Sequence, residues 1–142
     1  MASNRSDRLR MFFEVVWNNG DITSARDFLT PAYEIHHDPG DPWAGKTLTI
    51  EGFEERARIS RAPFPDQCFT ILDMIEGEDR IAVTWTWRGT HEGDLPGARA
   101  TGRSISMSGA TIYFFQGDRI CGHWQVADRL SVMQQLSGKQ TQ

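Results

Sequence analysis

The strongest constraint on the fold is a pair of long strand-like segments between Ser104 and Asp128, joined by the tight turn Gln116-Gly117-Asp118. Side chains alternate between the two faces of a β-strand, and the two strands of a hairpin run antiparallel. One face of the hairpin should therefore carry Met107, Gly109, Thr111 and Tyr113 from the first strand and Cys121, His123 and Gln125 from the second. The sequence predicts a pocket wall with a tyrosine, a histidine and a carboxamide.

Helical patterns occupy the first half of the chain. Between Ser6 and Asn19 the apolar residues recur every three or four positions, which predicts an amphipathic helix. Asp21 is a candidate N-cap for a second, shorter helix that ends near Pro31, and Thr49 begins a third helix. A short last helix is predicted after Asp128. Residues 33–37 between these elements read as a short extended segment.

The segments that follow residue 67 alternate apolar and polar residues, which indicates strands. Residues 67–88 should form two long strands around the turn Gly77-Glu78-Asp79, and residues 89–102 are too rich in Gly and Pro for a regular element. Helices followed by antiparallel strands are typical of an α+β domain. A chain of 142 residues fits one domain, so we expect residues 1–142 to form a single unit.

The composition excludes several classes of partner. The formal net charge is −4, and no basic patch with interleaved aromatic residues occurs, so we expect neither nucleic acid nor a membrane surface as a partner. The charged N-terminus lacks an apolar signal-type segment, which predicts a cytoplasmic protein. Five Trp, eight Phe and two Tyr residues can either fill a core or wall a cavity for a flat apolar ligand.

The opposite face of the hairpin is also apolar. Alternation places Ala110, Ile112, Phe114 and Trp124 on the outward side of the sheet. Exposing so many apolar groups to water is unfavourable. We therefore expect a homodimer that forms through the outer sheet faces.

Several strings occur in a fixed order: FFEVVWNNGD at 12–21, LTPAYEIHHDP at 29–39, FPD at 64–66, RIAVTWTWRGTHEG at 80–93, TGRSISMSGATIYFFQGDRI at 101–120, HWQVAD at 123–128 and QQLSG at 134–138. Together with the order of helices and strands, they resemble the SnoaL-like family, the polyketide-cyclase branch of the NTF2-like proteins. The resemblance covers nearly the whole chain.

The resemblance implies an NTF2-like cone-shaped α+β barrel, with N-terminal helices packed on a curved, mostly antiparallel sheet. It also implies an enzyme that acts on polyketide-like molecules without a metal or an organic cofactor. In the family's cyclases, an inward aspartate on the last strand is the acid and base of an aldol closure, helped by a histidine on the preceding strand. Aligned without gaps, this chain has Gln125 at the aspartate position and Tyr113 at that histidine position, while His123 matches another inward histidine.

This departure moves the candidate base to another residue. A glutamine amide donates and accepts hydrogen bonds but takes no proton at neutral pH, so Gln125 cannot be the general base. His123 is the best remaining base. His37 should point to the same side of the extended segment as Tyr33, and it is a second candidate for proton transfer. Tyr113 and Gln125 could donate hydrogen bonds to a developing oxyanion. Each of these side chains could instead be an ordinary structural residue.

Two tryptophans, Trp85 and Trp87, are the predicted walls for a flat ligand. The further candidates for substrate contact are Met107, Thr111, His91 and Phe53. Histidines 37, 91 and 123 are metal ligands in kind, but no H-x-H or H-E-x-x-H spacing forces them together, and no metal site is predicted.

The sequence therefore predicts a cofactor-independent acid-base enzyme of aromatic polyketide or related natural-product biosynthesis, of the SnoaL-like cyclase or isomerase type. Two alternatives remain open at this point. One is a divergent hydroxylase-type or epoxide-opening member of the same family. The other is a non-catalytic module for ligand binding or dimerisation, because one fold can serve both purposes.

Overall fold

The computed structural model describes residues 4–138, and its centre is one curved six-stranded sheet. The strands are β1 (Leu29–His37), β2 (Thr47–Leu48), β3 (Cys68–Glu76), β4 (Arg80–Thr90), β5 (Ser104–Gln116) and β6 (Arg119–Ala127). Their order in the sheet is β2-β1-β6-β5-β4-β3. Only β1 and β6 pair in parallel, and every other pairing in the described sheet is antiparallel.

The helices are α1 (Arg5–Phe12), α2 (Ile50–Arg61) and α3 (Arg129–Leu136). Thr49 caps α2 because its hydroxyl accepts a hydrogen bond from the Gly52 backbone N–H at 3.0 Å, and Asp128 caps α3 in the same way through Ser131. The helix starts predicted at Thr49 and Asp128 are confirmed, whereas the predicted Asp21 cap is wrong, because the Asp21 side chain accepts no hydrogen bond from a backbone N–H of the helix that follows it. Within residues 4–138, none of the helices is long and apolar enough to cross a membrane.

The first two predicted helices are correct in place but differ in type. After α1 the chain continues as a π-helix over Phe13–Asn18, and the second predicted helix is a 3-10 helix over Ile22–Asp27. The chain then leaves the helical conformation because Leu29 pairs with Ile120, which begins β1. The sequence predicted only residues 33–37 as extended, since parallel pairing with a strand some 90 residues away leaves no local signal.

The helices bury their apolar faces on the concave side of the sheet. Phe12 of α1 is fully buried and contacts the rings of Phe28, Phe53 and Tyr113 at centroid distances of 5.8–6.1 Å. Edge-to-face and tilted rings of this kind stabilise a core beyond the area that they bury. This aromatic layer forms the closed end of the concave side.

The predicted outward residues lie on the other face of the sheet, where Trp124 is 39% exposed. Neighbouring side chains of the same chain cover part of this surface: the His36 ring packs edge-on against Phe114, and the Arg80 guanidinium lies 4.8 Å from the Phe114 ring centroid. The homodimer stays a prediction, which light scattering at micromolar concentration can test.

Gly109 on β5 is required opposite Trp85 on β4, because the Trp85 indole lies directly over Gly109. A Cβ atom at this position would clash with Trp85 Cζ2 and would lie 2.8 Å from the Val126 carbonyl oxygen. We expect Gly109→Ala to lower the free energy of unfolding by about 1–3 kcal/mol, as overpacking of a core does. Urea denaturation measures this loss.

The matched control is Ser108→Ala, one residue earlier on the exposed face of β5. It should change stability by no more than about 0.5 kcal/mol. Equal stability of Gly109→Ala and the parent protein would contradict the close approach of Trp85.

Candidate active site

A bulge near the end of β1 decides which side chain enters the concave side. Ile35 pairs with His123 and His37 pairs with Trp124, with a register shift between the two pairs. A bulge inserts an extra residue and reverses the alternation of faces. The His37 ring therefore stacks on Trp124 at a centroid distance of 4.6 Å, on the outer face of the sheet. The predicted inward orientation of His37 is wrong, and Asp38 points inward instead.

Asp38 is the centre of the site, and its side chain is completely buried. Its carboxylate accepts hydrogen bonds from His123 Nε2 at 2.9 Å, Gln125 Nε2 at 3.2 Å and Arg129 Nη1 at 2.9 Å. Arg56 Nη2 lies at 3.4 Å. A buried carboxylate is tolerated only when it is paired and hydrogen-bonded, and Asp38 meets both conditions.

Two arginines and two aspartates make up the charged part of this cluster. Arg56 of α2 is buried and donates to Asp41 at 2.9 Å as well as to Asp38. Arg129, the first residue of α3, also donates to the Pro39 backbone carbonyl and lies 3.9 Å from Asp41. The cluster therefore fastens the loop after β1 to both helices.

The environment of Asp38 favours its ionised form. Burial alone would raise the pKa of the carboxyl group, but the hydrogen bond from His123 and the charges of Arg129 and Arg56 outweigh burial and hold the pKa below its usual value. Asp38 is thus a carboxylate at neutral pH. It can stabilise a neighbouring cation but does not supply a proton.

His123 lies between Asp38 and a tyrosine. Its Nε2 is bonded to Asp38, and its Nδ1 lies 2.6 Å from the Tyr33 hydroxyl. Burial lowers the pKa of His123, with the bond to Asp38 opposing this effect in part, so the ring is neutral at pH 7. Burial also raises the pKa of Tyr33 well above its usual value, so its hydroxyl keeps its proton.

A chain of hydrogen bonds fixes the orientation of Gln125. The Trp85 indole N–H donates to Thr111 Oγ1 at 2.9 Å, and the Thr111 hydroxyl donates to Gln125 Oε1 at 2.6 Å. The ionised Asp38 carboxylate can only accept, so the Gln125 amino group must point to Asp38. The Gln125 oxygen is then left to accept the hydrogen bond from Thr111.

These groups lie at one wall of a cavity of about 500 Å³. Six predicted site residues line the cavity: Trp85, Trp87, Met107, Tyr113, His123 and Gln125. The cavity lining also includes aliphatic side chains, among them Ile59, Leu95 and Met133. The volume and the aromatic walls suit a flat ligand of drug-like size.

Three other predicted contacts do not line the cavity. Phe53 is core, packed against Tyr33 at a centroid distance of 5.0 Å, because its helix turns that face toward β1. Thr111 lies behind the wall and acts on Gln125. His91 is fully buried at the end of β4, where its Nδ1 is bonded to Thr101. Cys121, expected beside His123, turns away because a second bulge shifts the register of β5 and β6 at Phe114.

The Tyr113 hydroxyl differs from that of Tyr33, because within residues 4–138 it makes no hydrogen bond to the protein. Tyr113 nevertheless lines the cavity and is 5% exposed. Burial raises the pKa of its hydroxyl, which remains protonated. Tyr113 thus presents a free hydrogen-bond donor to a ligand.

Sequence reasoning missed four residues of the site: Tyr33, Asp38, Arg56 and Arg129. Asp38 begins the stretch Asp38-Pro39-Gly40-Asp41-Pro42, whose composition favours a loop, while the arginines lie 18 and 91 residues from Asp38 along the chain. The available signal was the alternation of side chains along β1, which correctly places Tyr33 and Ile35 on the same face. The bulge after Ile35 breaks this alternation, so it does not extend to His37.

The lowered pKa of His123 predicts how stability depends on pH. The unfolded chain takes up a proton at His123 near pH 6.5, whereas the folded chain resists protonation until a lower pH. The free energy of unfolding should therefore fall as the pH drops below about 6.5, by at most about 1.4 kcal/mol per pH unit from this group. Urea denaturation between pH 8 and pH 5 measures the slope.

His123→Gln should flatten that part of the profile, since Gln keeps a donor for Asp38 but does not titrate. His36→Gln is the matched control, because the His36 side chain is 40% exposed on the outer face. An unchanged slope in His123→Gln would contradict a buried neutral imidazole.

Comparison with known proteins is consistent with this architecture. The family model for the SnoaL-like polyketide cyclase matches residues 7–136. A proposed polyketide cyclase from Acidithiobacillus ferrooxidans is 44% identical, with a TM-score of 0.92 over 99% of both chains. IdmH, a proposed polyketide cyclase from Streptomyces antibioticus, is 29% identical, with a TM-score of 0.80 over 94% of this chain and 98% of its own.

AclR, a proposed hydroxylase from Streptomyces galilaeus, has the same fold at 20% identity and a TM-score of 0.78, over 98% of this chain and 87% of its own. A search of curated proteins finds no significant match. The family model spans nearly the whole chain, and the fold of these solved structures is the fold described above. The chain belongs to the SnoaL-like polyketide cyclase family.

Proposed function

We propose that this protein is a cofactor-independent enzyme that forms an enolate from a flat, polyketide-like ketone, as the first step of an intramolecular ring closure. The observation that carries the proposal is the position of His123, a neutral imidazole held by a buried carboxylate at the wall of an aromatic cavity. An imidazole in this setting is a general base at neutral pH. Enolate formation is a proton transfer and needs no redox cofactor.

Asp38 supports the base without being protonated itself. When His123 takes up a proton, its Nε2–H remains bonded to the Asp38 carboxylate, which stabilises the imidazolium. The same carboxylate fixes which nitrogen carries the resting proton and how the ring is oriented. This is the role that the aspartate has in a serine-protease triad.

Tyr113 is the donor to the developing oxyanion. Its hydroxyl is protonated, is unpaired within the described chain and lines the cavity. A preorganised donor in a site that excludes water stabilises an enolate oxygen strongly. Trp85 and Trp87 line the same cavity and would hold a flat ring system beside it.

Gln125 has a different role from the predicted one. Both ends of its amide are engaged, the oxygen with Thr111 and the nitrogen with Asp38. Gln125 therefore holds the carboxylate in place and does not serve as the main oxyanion donor. The carboxylate of the site comes from the end of β1, so the absence of an aspartate at position 125 does not remove acid-base chemistry.

The proposal can be tested without knowing the substrate, because enolate formation exchanges a carbon-bound hydrogen with solvent. The probe is 2-tetralone, a bicyclic ketone, in D2O, with loss of its α-proton signal followed by ¹H NMR. The protein should accelerate exchange over buffer, and Asp38→Asn and His123→Gln should each lower the accelerated rate by about 10²-fold or more, as loss of a general base does.

His36→Gln on the outer face is the control and should exchange 2-tetralone at the parental rate. Binding of 2-tetralone, followed by Trp fluorescence, separates chemistry from affinity. Bound ketone that exchanges no faster than in buffer would reject the enzyme and favour a ligand-binding module.

A further inference from the structure

We propose that Tyr33 is a catalytic residue that carries the proton between the ligand and His123, so that the base acts on the cavity only through the Tyr33 hydroxyl. The inference rests on the proposed function and goes beyond it, because it assigns the atom that meets the substrate. Tyr33 lies on β1, and its side chain both lines the cavity and contacts the imidazole.

Neither nitrogen of His123 is free. Nε2 lies 2.9 Å from Asp38, and Nδ1 lies 2.6 Å from the Tyr33 hydroxyl oxygen. An imidazole has only these two positions for accepting or donating a proton. A ligand in the cavity therefore cannot reach a nitrogen of His123 unless one of these bonds breaks.

The partners of His123 determine which of its ring nitrogens carries the proton. Asp38 is ionised and accepts from Arg129, Gln125 and His123, so the ring proton must lie on Nε2. Nδ1 then carries the lone pair and accepts the Tyr33 hydroxyl proton. The alternative tautomer would place the Nε2 lone pair against a carboxylate.

Access to the cavity separates the two groups bonded to His123. Asp38 does not line the cavity, whereas Tyr33 does, with 1% of its surface exposed. Of the groups bonded to His123 in the described chain, Tyr33 is the one that both faces the ligand and can transfer a proton. The relay therefore runs from ligand to Tyr33 oxygen to His123 Nδ1.

The transfer is balanced in protons and electrons. As the ligand C–H bond breaks, its proton moves to the Tyr33 oxygen, and the electron pair remains on the ligand as an enolate. The Tyr33 hydroxyl proton moves at the same time to His123 Nδ1, which gives an imidazolium bonded to Asp38. Burial disfavours a free Tyr33 phenolate, so the two transfers have to be concerted.

Two tyrosines near one imidazole thus have different tasks. The His123 ring centroid lies 5.6 Å from that of Tyr33 and 6.0 Å from that of Tyr113. Tyr33 is bonded to the base and transfers a proton, whereas Tyr113 is unpaired and donates to the oxyanion. Exchange of 2-tetralone should require both hydroxyls, but only Tyr33 should couple the rate to the protonation of His123.

The experiment compares Tyr33→Phe with Tyr113→Phe, each of which removes one hydroxyl and keeps the ring. In the parent protein the exchange rate of 2-tetralone should follow the titration of His123, measured independently by ¹⁵N NMR. Tyr33→Phe should lower the rate by about 10²-fold or more and remove this pH dependence. Tyr113→Phe should lower the rate but keep the pH dependence.

A merely structural role of Tyr33 would lower the rate of Tyr33→Phe while its pH profile still followed His123, and that result would overturn the relay. A parental rate in Tyr33→Phe would overturn it as well. Thermal unfolding and 2-tetralone binding of each variant show whether the fold and the cavity remain intact.

Failure of the relay and failure of the proposed function are distinguishable. If the parent protein exchanges 2-tetralone and Tyr33→Phe does so equally well, the enzyme stands and the relay is wrong. If the parent protein binds 2-tetralone but does not accelerate its exchange over buffer, the proposed function is wrong. The ¹⁵N spectrum tests the relay without any ligand, because a resting proton on Nδ1 instead of Nε2 would overturn it.

Discussion

The burial of the Asp38 carboxylate is the constraint on which the site depends. An isolated buried charge is far too costly for a protein to keep, and this one is retained because donors from three separate elements converge on it. His123 and Gln125 come from β6, Arg56 from α2 and Arg129 from the start of α3. The loop after β1 cannot leave its place without exposing these cations or leaving them unpaired, so the electrostatics of the site also fix the positions of two helices.

The same constraint explains why a glutamine suits position 125. Its amide nitrogen lies 3.2 Å from both oxygens of Asp38, where a second carboxylate would face the first at hydrogen-bond distance. Like charges at this separation force one group to stay protonated. A neutral donor lets Asp38 remain ionised, and the bond from Thr111 turns the amide so that it donates to Asp38. Asp38 and Gln125 therefore form a compatible pair, in which the carboxylate directly follows β1 and the amide lies on β6.

The sequence predicted those parts of the fold that local pairing determines. The tight turn at Gly117 pairs Gln116 with Arg119, and the bulge at Cys121 then shifts the register by one residue, so that Tyr113 lies opposite His123 and Thr111 opposite Gln125. Prediction failed at the bulges, where one additional residue exchanges the two faces: His37 and Cys121 turn outward, and Asp38 turns inward. Nothing local marks these positions, because the bulge on β1 arises from parallel pairing with β6. The two arginines were missed for a related reason, since their partner is distant in sequence and an arginine on an amphipathic helix resembles a solvent-exposed one.

Charge balance connects the resting site to the reaction that we propose. At rest, Arg56 and Arg129 offset Asp38 and Asp41, so the cluster carries no net formal charge, although Asp41, Arg56 and Arg129 line the cavity. Proton transfer to His123 creates a cation next to Asp38 and leaves an anion on the ligand beside Tyr113. The cation and the anion form together and lie within one small region of low polarity, where their attraction is stronger than in water. The site thus disfavours either charge alone, which is why a neutral ligand with a removable proton fits it better than one that arrives already ionised.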